Sequence, residues 1–151
     1  MSGPGQAWAQ EKRRDMDTSE LAGIIGNDKY ARHLGVELVL VEKGHAVARM
    51  EISDEHVNFL GTVHGGAIFS VADVAFSAAA NSEGKRSVAI HIAIDYLSAP
   101  GDTPYLEADV RETARAGRVG HYAMQVRGAS GETVAVCHAW AYHTDTDITP
   151  P

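Results

Sequence analysis

Between Gly66 and Asn81 lies a stretch that admits few folds. Ala67, Ile68, Phe69, Val71, Ala72, Val74, Ala75, Phe76, Ala78, Ala79 and Ala80 are apolar. A helix apolar on almost every side is a buried one. At about 1.5 Å per residue it reaches roughly 24 Å, the width of a small domain. The rest of the chain must therefore supply a layer that wraps it.

The flanking sequence is patterned for strands. Val36–Glu42 and His45–Ile52 carry Val39, Val41, Val47 and Met50, and Lys43–Gly44 marks a tight turn between them. Ser53 to Val63 reads as a loop with some turn structure. Past the helix, which Gly84 closes, Ser87–Leu97 alternates His91, Ala93 and Asp95 against Ile90, Ile92, Ile94 and Tyr96. Tyr105–Thr113, Val119–Gly128 and Glu132–His143 follow, with turns at Pro100–Gly101, Ala116–Gly117 and Ala129–Ser130–Gly131. Short connections favour an antiparallel sheet over parallel crossovers. The expected class is α+β, with one long central helix wrapped by a five- to six-stranded antiparallel sheet.

Upstream, Thr18 or Ser19 offers a hydroxyl cap before Glu20. Leu21, Ile24 and Ile25 then form a stripe that Tyr30 and Leu34 continue less regularly up to Gly35. The expected organisation is a mobile or accessory arm over residues 1–17, one domain over 18–145 and a tail over 146–151.

A chain of 151 residues suits a single core, and 44% apolar with 22% charged residues sets aside a disordered or coiled-coil chain. The net charge of -7 argues against general nucleic-acid or anionic-membrane binding, while leaving room for an anionic ligand held by a few local cations. Cys137 is the one cysteine, so an intrachain disulfide and a four-thiolate zinc site are excluded; it reads as a packed strand thiol. Gly3, Pro4 and Gly5 followed by the charged Glu11–Asp17 do not read as an export signal, and no apolar run spans a bilayer. The expected location is cytoplasmic. The histidines are scattered without metal-ligand spacing. Nucleophile-elbow, phosphate-loop and dinucleotide glycine signatures are missing, so neither a metal nor a redox cofactor is expected.

Four polar residues interrupt the buried helix: Ser70, Asp73, Ser77 and Asn81. Their spacing of three, four and four puts them on one narrow stripe. Asp73 is the only ionisable group between Gly65 and Asn81. Dehydration there raises a carboxyl pKa and makes a better base or nucleophile. Equally, Asp73 reads as a structural acid bonded to an amide or facing solvent.

The helix is entered through His64-Gly65-Gly66. First-turn amides lack intrahelical partners, the helix dipole adds positive potential, and two glycines let a ligand oxygen approach. That is the chemistry of an oxyanion site for a thioester or acyl carbonyl, or else a turn serving backbone geometry alone. Asn58 and His64 flank it in the preceding loop, Asn58 to orient a water or carbonyl and His64 to bond the loop backbone. Asp73 lies eight residues after Gly65, roughly 12 Å along the axis. One chain cannot bring both to one carbonyl, so a shared site requires two antiparallel copies of the helix.

The run Asn58-Phe-Leu-Gly-Thr-Val-His64-Gly-Gly-Ala-Ile-Phe-Ser-Val-Ala-Asp73-Val-Ala-Phe-Ser77 closely resembles the hotdog-fold thioesterases of the phenylacetate-degradation type. The similarity extends with gaps from about Leu34 to Tyr142, including Ala80-Asn81-Ser82 and Ile94-Asp95-Tyr96-Leu97. It implies a hotdog fold that pairs into homodimers and commonly homotetramers, and hydrolysis of an acyl-CoA, aromatic acyl groups of the phenylacetyl type first. By match, Asp73 attacks the thioester or activates water. The Gly66 amide, with Gly65, polarises the carbonyl from the partner chain. Asn58 helps place the carbonyl or water, and Ser77 supports the nucleophile side. Gly117–Gly120 matches a strand start that lines the CoA channel, nominating Arg118, Val119 and Gly120, with Lys85 and Arg86 as further phosphate contacts. These cations, like Arg115, read equally as solvated turn residues. One departure stands out: relatives often carry an Arg-Pro after the central-strand motif, and here the run is Leu97-Ser98-Ala99-Pro100. A hotdog dehydratase and a non-catalytic acyl-CoA-binding module remain the competing readings.

Overall fold

The computed structural model describes residues 17–150. The proposed arm therefore lies, except for its last residue, outside the described residues. Two short helices come first, α1 (Thr18–Ile25) and α2 (Lys29–His33), then strands β1 (Val36–Glu42) and β2 (His45–Glu51). A 3-10 turn at Asp54–His56 leads to the long helix α3 (Gly65–Asn81). Strands β3 (Lys85–Tyr96), β4 (Tyr105–Ala116), β5 (Val119–Gly128) and β6 (Thr133–Asp147) complete the chain. All six strands form one antiparallel sheet in the order β1-β2-β4-β5-β6-β3, which curls around α3. The last strand runs to Asp147, so the boundary expected at residue 145 falls inside it, and the Ile148 amide is held by the Gly84 carbonyl at 2.9 Å.

Wrapping is possible because the facing surfaces are built from small side chains. Ala72, Ala75, Ala78 and Ala79 of α3 are buried, as are Ala46 and Ala48 of β2 and Ala108 of β4. Larger residues fill the remaining space: Met50, Val71, Phe76, Leu106, Tyr122 and Val126. Phe76 meets the Tyr122 ring edge-on with centroids 5.3 Å apart, a favoured aromatic geometry. Full burial of a side chain such as Phe76 contributes about 1.5–3 kcal/mol.

Three sequence expectations are corrected. The first helix is capped by Asp17, not by Thr18 or Ser19, because its carboxylate accepts the Ser19 amide at 3.5 Å and the Ser19 hydroxyl at 2.8 Å. The stripe does not continue through Tyr30, which is exposed. Asp28 accepts the Tyr30 and Ala31 amides at 2.8 and 3.0 Å, starting a second helix whose buried residue is Ala31. In β3 the alternation slips: the register shifts between Ala89 and His91, leaving Ile90 exposed while Ile92 and Ile94 pack on the core.

One polar cluster sits inside the sheet. His143 Nδ1 bonds the Ser87 hydroxyl at 2.8 Å, and its Nε2 bonds the Tyr122 hydroxyl at 3.2 Å. Glu112, held by Arg115 at 2.8 Å, lies 3.4 Å from the same phenol.

Candidate active site

The entry to α3 is assembled by hydrogen bonds from three directions. Asn58 makes a compact loop: its Oδ1 accepts the Leu60 and Thr62 amides at 2.9 and 3.2 Å, and its own amide donates to the Thr62 carbonyl at 2.8 Å. His56 ties this region to the α2–β1 turn. Its Nε2 donates to the Leu34 carbonyl at 2.9 Å, and its carbonyl accepts the His64 amide at 2.7 Å. Tyr96 donates its hydroxyl to the Gly65 carbonyl at 3.0 Å from the end of β3. His56 and Tyr96 were not singled out from sequence, because their acceptors are backbone carbonyls of distant residues. The only sequence signal was the place of Tyr96 in the Ile94-Asp95-Tyr96-Leu97 match.

His64 is the N-cap of α3, and its Nδ1 accepts the Gly66 amide at 2.8 Å. That bond needs a lone pair on Nδ1, so the neutral ring carries its proton on Nε2. The Gly66 amide is thereby engaged, whereas the Gly65 amide has no acceptor among the described residues. Any β-carbon on Gly66 would stand 3.0 Å from His64 Nδ1, and one on Gly65 would stand 3.4 Å from the Tyr96 ring. Gly65 borders a shallow hollow with Val63, Ile68, Tyr96, Leu97 and Pro100.

The polar stripe lies elsewhere on the helix. Ser70 is buried and returns its hydroxyl to the Gly66 carbonyl at 2.8 Å. Asn81 stitches the helix end to β3: its Nδ2 donates to the Ser77 and Ser87 carbonyls at 2.9 and 3.2 Å, and its Oδ1 accepts the Ser87 amide at 2.8 Å. Ser77 is exposed and lines two cavities of about 510 Å³ each, one on either side of α1. Asp73 is half-buried and has no hydrogen-bond or ion-pair partner among the described residues. Burial pushes its carboxyl above the ordinary value of 3.8, and the nearby charge of Asp28 pushes in the same direction. Neither cavity beside Ser77 shares a residue with the hollow beside Gly65. Asp73 lines none of the three, and within one chain the hollow at the Gly65 amide is separate from the cavities reached by Ser77, one turn beyond Asp73.

The nominated phosphate contacts do not form one patch. Lys85 is paired with Asp147, and Arg118 with Asp145. Both line a small cavity of about 200 Å³ together with Arg115 and His143. Arg86 has no side-chain partner among the described residues and opens instead onto the cavity shared by Ser77 and Asn81. Val119 is partly buried, and Gly120 is buried, with His143 and Tyr122 against it. Cys137 is buried and its thiol is pushed up to about 11, which keeps it protonated. Among the described residues no group of three or more His, Cys, Asp or Glu side chains is placed to hold a metal ion.

Comparison with known proteins decides the family. The thioesterase superfamily model matches residues 60–135. The chain belongs to the thioesterase superfamily. It is 33% identical over 125 residues to the acyl-coenzyme A thioesterase PaaI of Escherichia coli, covering 82% of this chain and 88% of that protein. A solved structure of the E. coli PaaI protein, from the phenylacetic acid degradation operon, superposes with a TM-score of 0.81 at 28% identity, over 87% of this chain and 96% of the other. A variant of the phenylacetic acid degradation protein PaaI of Thermus thermophilus gives 0.73 at 29% identity, over 78% and 100%. The fold is therefore the hotdog, and the chain is a thioester hydrolase by class.

Proposed function

We propose that this protein is an acyl-CoA thioesterase in which Asp73 is the nucleophile or general base. The observation that carries the reading is Asp73 itself: a carboxylate on the buried helix with no partner among the described residues and a raised pKa. A structural acid in that position would be hydrogen-bonded or paired. The name and operon of the E. coli relative support CoA esters, with phenylacetyl or hydroxylated phenylacetyl as the first acyl groups to test.

In the reaction, Asp73 either attacks the thioester carbon, expelling the CoA thiolate and leaving an acyl anhydride that water then hydrolyses to the free acid and the Asp73 carboxylate, or takes a proton from a water that attacks the same carbon, whereupon the CoA thiolate leaves with that proton and the free acid remains. The negative charge that grows on the carbonyl oxygen is stabilised by a backbone amide at the α3 start of the partner chain. The Gly65 amide suits that role, since the Gly66 amide is bonded to His64. Asn58, with Oδ1 committed to its own loop, has its Nδ2 to offer the carbonyl or water. Ser77 stands one turn beyond Asp73 on the nucleophile side.

A composite site requires at least a homodimer, and we place a homotetramer beyond it. β3 is an edge strand of twelve residues, and Val88, Ile90 and Tyr96 along it are exposed, as is Leu97 just after it. Phe59, next to Asn58, is 96% exposed. An apolar edge of that length and a bare phenylalanine beside the site suit a second copy. Among the described residues no helix is long and apolar enough to cross a membrane, which accords with action in the cytoplasm.

Measuring thiol release over a panel of acyl-CoAs, with Asp73→Asn alongside, tests the reading. Full hydrolysis by Asp73→Asn sinks the mechanism, and tight ester binding without turnover by the native protein favours a binding module. A catalytically competent monomer in sedimentation removes the composite site.

A further inference from the structure

We infer that the cavity enclosed by α1, α2 and the edge of β1 is the acyl pocket of this enzyme, shaped for a medium-length aliphatic chain and not only for a single ring. This rests on the thioesterase reading above and adds where the acyl group goes and what class it belongs to.

Position is the first argument. Val74 and Ser77 of α3 line the cavity, and Ser77 is one turn, roughly 6 Å, beyond Asp73 along the axis. Asp73 itself does not line the cavity, but Val74 beside it and Ser77 one turn on do, so the substituent of an acyl carbon held at Asp73 enters this space past Ser77. Asp28, whose charge reaches Asp73, lines the same cavity, so the two are neighbours in space.

Size and lining give the class. A closed apolar cavity of about 150 Å³ accepts a benzene ring. The volume here is about 510 Å³, so one ring leaves most of it empty. The inner wall is aliphatic, with Ala22, Ile25, Ala31 and Leu38 among its residues, and it contains no aromatic ring on which a planar group would stack. The charged residues, Asp28, Arg32 and Glu37, are exposed. A space of this volume with an aliphatic inner wall fits a flexible chain. The cavity on the other side of α1 also reaches Ser77, but Arg86, Ser87 and Asn81 make that wall polar.

Ala22 is the position for the test. It faces the cavity, and its carbonyl, which holds the Gly26 amide at 2.8 Å, is untouched by a side-chain change. In the full chain, kcat/KM for decanoyl-CoA and for phenylacetyl-CoA is measured in the native protein, in Ala22→Leu and in Ala22→Phe. The decanoyl-to-phenylacetyl ratio is expected to fall roughly ten-fold or more in Ala22→Phe, and by less in Ala22→Leu. Ala22→Leu carries the test alone if the larger variant fails to fold. An unchanged ratio in the folded variants overturns the pocket, as does a native protein that hydrolyses phenylacetyl-CoA but not decanoyl-CoA; both outcomes leave the thioesterase reading standing. A native protein inert toward the whole acyl-CoA panel removes that reading, and the pocket with it.

Discussion

His64 accepts the amide of Gly66 at 2.8 Å, so the residue that caps the central helix also occupies the amide of the second glycine behind it. The first glycine is left with the free donor. Two glycines that look equivalent in sequence thus have different tasks. Gly66 accommodates the imidazole, since any β-carbon there would crowd the ring, and Gly65 presents its amide beside a hollow.

The cap is testable as a stabilising contact. His64→Ala leaves the Gly66 amide without its acceptor and is expected to cost about 0.5–2 kcal/mol in urea denaturation. His64→Asn puts a side-chain acceptor back at the cap position and is expected to recover most of that loss. Equal destabilisation by both variants would show that the imidazole acts through packing and not as an acceptor.

As the proposed nucleophile or base, Asp73 is expected to set opposite demands on activity and stability. Its carboxyl is raised by burial, so the acid limb of the kcat/KM profile is expected above the ordinary carboxylate range, with activity lost as pH falls through the raised value. The folded chain keeps a proton on Asp73 at a pH where the unfolded chain, near 3.8, has lost it. Protonation therefore favours folding, and the stability linked to this group declines as pH rises from 3.8 through the folded value. Asp73→Asn is expected to lower kcat by about 10²–10⁴-fold while stabilising the fold at neutral pH by roughly 0.5–2 kcal/mol. Turnover against pH and melting temperature of the same two proteins check both halves.

The sequence carried the fold wherever burial dictates residue type. The apolar run of α3 and the strands from Val36 onward are legible because a wrapped helix and a half-buried sheet demand those patterns. What escaped it depends on competition or distance. Asp28 outcompetes continuation of the first helix by capping a new one. The slip at Ile90 follows from the pairing of β3 with β6, a partner distant in sequence that the alternation does not encode. For the candidate site, the places of Asp73 and the glycines on one helix were legible, and helix arithmetic alone separated them. His56 and Tyr96 were hidden because each acts on a main-chain carbonyl, which leaves no trace in side-chain spacing.

His143 gives the fold its own pH dependence. Burial lowers its pKa below the ordinary 6.5, with Arg115 pushing the same way against Glu112 and Glu83. The unfolded imidazole thus binds a proton before the folded one. Stability contributed by the neutral ring is complete above 6.5 and is lost as pH falls from there through the folded value. Melting curves across that range should show native stability declining toward acid, and a flatter decline in His143→Gln. Parallel curves would assign the acid sensitivity to other groups.

Gly120 separates a packing role from a ligand-contact role. It was nominated from sequence for the CoA channel, yet it is buried. A β-carbon there would lie 2.7 Å from His143 Nε2 and 3.0 Å from the Tyr122 ring. Neither ring can simply swing away. His143 is bonded on both nitrogens, and Tyr122 is fully buried against Phe76. Its backbone φ is not in the left-handed region, so crowding alone makes glycine necessary. Gly120→Ala is expected to destabilise by about 1–3 kcal/mol in urea denaturation. Gly101→Ala, whose β-carbon meets nothing within 4 Å, serves as the control and should change stability by less than about 0.5 kcal/mol. If Gly120→Ala instead keeps native stability and raises KM for acyl-CoA, Gly120 belongs to the ligand channel and the crowding argument fails.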